Sequence, residues 1–280
     1  MKDETFILVD KAVSGDKESL EKLILSVEDL IYNLSLRMLG TIHDAEDAAQ
    51  EIIIRIITQL STFRKESTFS TWVYRIATNY LINYKKSMFA KRPLDFEFYG
   101  ADIEKGFIEN TKDLLQNVNE ELLAEELKMS CTNVMLQCLD PESRCIYVLG
   151  IMFRADSKIC GEILGITSEA YRQRLSRIRK KMGDFLGEYC GLTETGKCNC
   201  RKRVGYAIQS RRLNLNNLEY SNMKKLDDHV TFGVRQAMEK MDELSFVFAE
   251  LPKYRSTEII KDFIKKLLRS DNMNIIKIEA

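Results

Sequence analysis

The stretch Asp44-Ala-Glu-Asp-Ala-Ala-Gln-Glu-Ile-Ile-Ile-Arg-Ile-Ile-Thr-Gln-Leu60 constrains the fold more than any other. Its apolar residues at 45, 48, 49, 52, 53, 56, 57 and 60 advance by threes and fours, the period of a helix with one broad buried stripe. Such a stripe needs other helices to cover it. The 280 residues hold only 3 Pro and 13 Gly, so few breakers interrupt the many stretches of similar period, and a mostly helical protein is expected. A turn of about 100° per residue gathers Asp47, Gln50, Glu51, Ile54 and Thr58 on the opposite face. Asp44, Glu46 and Asp47 sit near the N-terminus, where the helix dipole favours carboxylates. An isoleucine among those polar residues suggests a docking surface.

Charge is balanced overall, 42 basic against 42 acidic residues, but unevenly placed. Arg64, Lys65, Arg75, Lys85, Lys86, Lys91 and Arg92 face only Glu66, which is a polyanion-binding balance. Between Pro93 and Glu126 ten carboxylates face Lys105 and Lys112, in a stretch whose first half lacks a sustained helical period, so an acidic linker is expected. The segments Ser168 to Leu186 and Lys197 to Arg212 are basic again. A single globular enzyme rarely needs such segregation. No apolar run approaches the roughly 18 residues of a membrane span, and the start Met1-Lys2-Asp3-Glu4 has no basic stretch leading into an apolar one, so no membrane insertion and a cytosolic address are expected. Seven scattered cysteines read as reduced thiols or metal ligands rather than a disulfide frame.

Beyond the first helix, Thr62 to Lys86 reads as a polar turn and then a helix capped near Ser70 or Thr71. Trp72, Val73, Ile76, Ala77, Tyr80 and Tyr84 form its inner face, while Tyr74, Arg75, Thr78, Ile82, Lys85 and Lys86 form an outer one. That outer face mixes π surface for bases with charge for phosphates, as single-stranded nucleic acid requires. Further on, Asp140-Pro141 starts a helix, Asp156 opens a short helix over 157–164, and Gly165-Ile166-Thr167 turns into a helix from Ser168 to Leu186. This is helix-turn-helix spacing. Tyr171, Leu175, Ile178, Met182 and Phe185 face inward, which leaves Glu169, Arg172, Gln173, Ser176, Arg177 and Lys180 outward to read base edges and hold phosphates.

Asp44-Ala-Glu-Asp47 with Gln50, then Phe63-Arg64, Thr71-Trp72-Val-Tyr-Arg-Ile-Ala77 with Asn79, and downstream Glu162-Ile-Leu-Gly-Ile166 with Arg174-Leu-Ser-Arg-Ile-Arg179, resemble regions 2 and 4 of the extracytoplasmic-function (ECF) group of the sigma-70 family. The resemblance spans about Glu4 to Gly187. It implies an all-α protein of two helical sigma domains: region 2 over 1–92, an acidic linker over 93–119 and a region 4 helix-turn-helix over 120–187. A mostly helical, cysteine-containing extension follows over 188–280. The partners implied are core RNA polymerase and promoter DNA, with either an anti-sigma factor or the chain's own extension as regulator. By resemblance, Asp47, Gln50, Glu51 and Ile54 dock on polymerase. Phe69, Tyr74, Arg75, Asn79, Lys85 and Lys86 contact and help melt the −10 element, and Glu169, Arg172, Gln173, Ser176, Arg177 and Lys180 read the −35 element. Melting comes from binding unstacked bases and phosphates, so neither a catalytic residue nor a cofactor is required. Cys160, Gly161 and Asn83 depart from the usual residues of the family, which bears on promoter sequence rather than role.

The extension carries Cys190, Cys198 and Cys200 among cations, a cluster that suits zinc but lacks a fourth ligand unless the distant His229 supplies it. Cys131, Cys138, Cys145 and Cys160 read as small buried apolar residues. Gly191 to Lys197 imitates a phosphate-binding loop, but Cys198 replaces the Ser or Thr and no strand precedes it, so that reading is rejected. From Val230 to Leu268 amphipathic helices are expected, broken at Pro252. Two alternatives stand beside the sigma factor. One is a helix-turn-helix regulator that footprints duplex DNA alone, which leaves the Asp47–Thr58 face unexplained. The other is a thiol- or nucleotide-dependent enzyme, which lacks a paired base.

Overall fold

A computed structural model describes residues 2–106, 119–193, 195–227 and 243–270. The described residues are all-α: fourteen α-helices and no strand beyond an isolated bridge between Lys225 and Tyr254. The first bundle comprises α1 (Lys2–Val13), α2 (Lys17–Leu25), α3 (Glu28–Leu39), α4 (Ile42–Thr58) and α5 (Phe69–Ile82). The stripe read from the sequence is its core: Ala45, Ala48, Ala49, Ile52, Ile53 and Ile56 are all fully buried. α5 starts earlier than expected. Thr68, not Ser70 or Thr71, is its cap, its hydroxyl accepting from Thr71 N at 3.1 Å, because Phe69 is drawn into the core against Phe63 and Trp72.

The stretch expected as an acidic linker is helical in its first half. After α6 (Met88–Lys91), α7 runs Phe96–Lys105, capped by Asp95, and packs on α11 (Ser168–Tyr189) through Phe96, Tyr99 and Phe185. Aromatic residues at 96 and 99 create this docking face, which a charge count overlooks. Residues 107–118 of that stretch lie outside the described residues. α8 (Glu120–Leu136) follows, then α9 (Pro141–Tyr147), which widens into a π-helical turn over Val148–Met152. The helix-turn-helix is α10 (Ser157–Leu164) and α11, with Asp140, Asp156 and Thr167 capping α9, α10 and α11 as expected. α12 (Cys200–Gln209), α13 (Glu243–Ala249) and α14 (Glu258–Arg269) complete the chain, with Pro252 in the break between the last two. His229 lies outside the described residues.

Besides a smaller core that gathers Leu123, Val204, Ala207 and Leu213, the main hydrophobic core runs from Val9 to Leu268. At its centre α3 is buried on nearly every side, Asn33, Ser35 and Arg37 included. Buried polar groups need partners, and the extension and α8 supply them. Arg37 donates to Asn133 Oδ1 at 2.5 Å and to the Pro252 carbonyl at 2.7 Å. Asn33 donates to the Tyr254 carbonyl at 2.6 Å and accepts from its amide at 2.8 Å, while Asp29 accepts from Ser256 N at 2.6 Å. Glu126 of α8 accepts from the amides of Glu219, Tyr220 and Ser221 and from the Ser221 hydroxyl. The extension is therefore wired into both halves. α12 lies on α8, α13 on α11 and the π turn, and α14 on α2 and α4.

Candidate polymerase and nucleic-acid interfaces

The α4 surface is as the helical period places it. Asp47, Glu51 and Thr58 are exposed, with Gln50 and Ile54 half-buried. Thr41 caps the helix, its hydroxyl accepting from Asp44 N at 3.1 Å. On one flank the Arg55 guanidinium lies over the Tyr80 ring of α5, 4.8 Å from its centre. α14 also packs on α4. α14 buries Ile260, Ile264 and Leu268 and carries Lys265, Lys266 and Arg269 exposed, so a basic helix borders an acidic face.

The surface expected to meet the −10 element is divided. Asn79, Lys85 and Lys86 are exposed and line an open cleft of about 560 Å³ with Arg55, Gln59, Ile76, Tyr80, Asn83 and Tyr84. Burial, with neighbouring carboxylates, raises the Tyr80 hydroxyl, and burial with Tyr80 beside it pushes Tyr84 up to about 12, so both remain neutral donors beside the cations. Sequence reasoning assigned both tyrosines wholly to the core and missed Arg55 and Gln59, whose only signal was their place at the end of the α4 face.

Tyr74 and Thr78, expected on the outer face, are instead fully buried. Tyr74 packs against Phe153, ring centres 6.2 Å apart, and its hydroxyl has no hydrogen-bond partner. Phe69 is buried too, stacked on Trp72 at 5.8 Å. Arg75 pairs with Glu162 of α10, Nη2 to Oε1 at 3.0 Å, and donates from Nε to the Glu162 carbonyl at 3.1 Å. The physical reason is tertiary: α9 and α10 lie across α5. A face that the helical period places outward in the first bundle becomes an interface once the second half of the chain covers it.

α11 is arranged as read. Glu169, Arg172, Gln173, Ser176, Arg177 and Lys180 are all exposed, while Tyr171, Ile178, Met182 and Phe185 are buried. The Tyr171 hydroxyl donates to the Ile146 carbonyl at 2.8 Å, which anchors the helix to α9, and Gly165 ends α10 in the left-handed conformation that a helix-turn-helix turn requires. Arg172 donates to Ser157 Oγ at 3.2 Å, tying the two helices together at the reading end. An exposed helix of this length with Arg and Gln in its first turns fits a major groove.

The cysteines separate into two sets. Cys138, Cys145 and Cys160 are buried, as expected, and burial pushes Cys138 and Cys160 up to about 12. Cys131, expected to be simply buried, is half-exposed, and its sulfur lies 2.8 Å from the Tyr99 hydroxyl. Burial likewise raises Cys190 to about 11 and Cys200 to about 12. Among the described residues no three His, Cys, Asp or Glu side chains stand in a metal-holding arrangement, and no helix among them is long and apolar enough to cross a membrane.

An all-α bundle joined to a helix-turn-helix whose second helix exposes Arg172, Gln173 and Arg177 is an architecture shared with DNA-binding proteins. Comparison with known proteins narrows the class. Residues 23–88 match the family Sigma-70 region 2. The ECF RNA polymerase sigma factor SigW of Bacillus subtilis (strain 168) is 30% identical over 182 residues, which cover 63% of this chain and 96% of that protein. The RNA polymerase sigma-H factor of Pseudomonas aeruginosa is 30% identical over 132 residues, 46% of this chain and 67% of that protein. The ECF RNA polymerase sigma factor SigE of Mycolicibacterium smegmatis is 26% identical over 183 residues, covering 64% and 67%. The chain belongs to the ECF RNA polymerase sigma factors of the sigma-70 family. Sigma factors bind core RNA polymerase and promoter DNA, and these relatives are named as sigma factors.

Proposed function

We propose that the chain is a self-restrained sigma factor, in which the region over 188–280 holds the region 2 unit (1–92) against the region 4 unit (120–187) until core polymerase separates them. In this reading Asp47, Gln50, Glu51 and Ile54 dock on polymerase, and α11 reads the −35 duplex through Arg172, Gln173, Ser176, Arg177 and Lys180, with Glu169 at its first turn. Asn79, Lys85 and Lys86 engage the −10 strand at the cleft, joined by Phe69, Tyr74 and Arg75 when α10 moves away. The residues over 93–119 span the distance between the two units. The protein works in the cytosol with the polymerase and needs no cofactor for these steps.

One observation carries the reading. The Arg75 and Tyr74 surface is closed by α10 and the π turn while the α11 surface of the same chain stands open. In that arrangement Tyr74 and Arg75 are withheld from the −10 strand, while Asn79, Lys85 and Lys86 remain exposed. The packing of α14 on α4, the helix that carries the proposed docking face, supports a part for the extension.

The test is a titration of core polymerase with the full chain. Glu51→Lys, a reversal on an exposed position that touches no core residue, is expected to weaken core binding by about tenfold, near 1.4 kcal/mol, with duplex −35 binding unchanged. Core affinity equal to the parent's contradicts the assignment of the α4 face. A footprint on duplex DNA that is as strong without polymerase as with it would favour the helix-turn-helix regulator instead.

A further inference from the structure

α7 is fastened to the rest of the chain more closely than a linker requires. Phe96 and Tyr99 lie against Phe185 of α11, ring centres 5.0 and 5.9 Å away, and Gly100 admits the Tyr189 ring, which a β-carbon there would approach to 2.6 Å. Gly106, just past the helix, makes the same room for Arg203, since an added β-carbon would stand 2.7 Å from Nε. Between the two glycines the buried carboxylate of Asp102 meets three side chains of the extension. Arg212 donates to both oxygens, from Nη2 to Oδ1 at 2.8 Å and from Nη1 to Oδ2. The Tyr206 hydroxyl donates to Oδ1 at 2.8 Å, and Arg203 Nη2 to Oδ2 at 3.3 Å. Both guanidiniums also lie over the Tyr206 ring, 5.4 and 5.5 Å from its centre. A forked arginine, a second arginine and a phenol on one carboxylate form a fitted receptor.

That receptor travels with the second half of the chain. α12 lies on α8, and Leu123 of α8 forms the smaller core with Val204, Ala207 and Leu213. Its arginines come from the basic segment Lys197 to Arg212, which the polymerase and promoter surfaces leave unused. While α7 is docked there, the chain free between the two units is Arg92 to Asp95, which reaches about 14 Å at full extension. The −10 and −35 elements stand about 25 base pairs apart, roughly 85 Å along a straight duplex. A compact unit of this size has a radius of about 15 Å, so about 55 Å remain to be bridged between the two. The docked chain falls well short of that distance. Released, the whole stretch over 93–119 can reach about 90 Å.

We infer that Arg203, Tyr206 and Arg212 form a carboxylate clasp that stows α7 against the second half of the chain, with Asp102 as its ligand, and that the clasp opens before the two units span a promoter. The device rests on the self-restrained arrangement proposed above and sets how far its two units can part. With α7 stowed, the chain reaches one promoter element at a time. Release of Asp102 frees α7 and lengthens the connection. Arg212 stands at the solvent edge, its side chain 45% exposed against 9% for Asp102, so the fork can part there without opening the core.

Amide hydrogen exchange of the full chain, read by mass spectrometry, tests the clasp. In the free parent the α7 amides should be protected. Asp102→Asn, which keeps the shape and removes the charge, and Arg212→Gln, at a half-exposed position, should each speed their exchange by about tenfold, and Tyr206→Phe by less. Amides of α4 and α11 should exchange as in the parent, which separates an opened clasp from a lost fold. Core polymerase with promoter DNA should bring the same rise to the α7 of the parent. Parental protection of α7 in both Asp102→Asn and Arg212→Gln, or an α7 still protected in the parent's complex with polymerase and promoter, would each overturn the inference. The separation of α5 from α10 reports self-restraint independently: units that part while α7 stays protected leave that reading standing and remove the clasp.

Discussion

The outward faces of α5 and α11 carry similar chemistry, cations beside hydrogen-bonding side chains, and meet opposite fates. α11 presents its whole reading face to solvent, whereas α5 has Tyr74 sealed under Phe153 and Arg75 held by Glu162. The difference does not lie in the helices themselves. It lies in what the rest of the chain lays over them: α9 and α10 cross α5, while α11, which meets α7, α9, α10 and α13, keeps its outer residues exposed. The Tyr74 hydroxyl points to the cost of that cover. A buried hydroxyl without a partner costs about 1–3 kcal/mol, and an arrangement that frees α5 would recover it. The closed arrangement is held by contacts that outweigh this cost, and the extension, whose helices pack on both halves, is among them.

The strongest way to break the comparison is at that bridge. Arg37 is fully buried without a carboxylate beside it, so burial lowers its pKa, and its two strong hydrogen bonds join α3 to α8 and to the chain at Pro252. Arg37→Ala removes two charge-assisted bonds and orphans both acceptors, for an expected loss of about 3–5 kcal/mol in urea unfolding. The cover over α5 should loosen with it. A loss below about 1 kcal/mol, the level of an exposed ion pair, would show that the bridge is incidental.

The open face yields a smaller effect. Arg177→Ala is expected to weaken duplex −35 binding by about 1–3 kcal/mol where it reads a base, or to reduce the salt slope by about 1 where it holds a phosphate. Folding should be unaffected, since the side chain is exposed. Unchanged affinity and slope would remove Arg177 from the reading surface and leave α11 less distinct from α5 than its exposure suggests.

Local chemistry made much of this legible in the sequence. Asp140 with Pro141, Asp156 and Thr167 are capping residues whose meaning is set within four positions, and the helix-turn-helix followed from them. The α4 face followed from period alone. What escaped was long-range. Tyr74 sits on an outward position of its own bundle and is covered by residues about eighty positions later, and α7 hides an aromatic docking face within an acidic stretch. In each case the missing information was which helix packs on which, and no single segment contains it.

The most direct measurement is the distance between α5 and α10 in solution, read by electron–electron resonance between spin labels on the exposed residues Asn79 and Lys158. The free chain should give one short, narrow distance, replaced by a longer one when core polymerase is added. A broad distribution in the free chain, or the same short distance with polymerase bound, would contradict a −10 surface that is closed in the free protein and opened by the enzyme it serves.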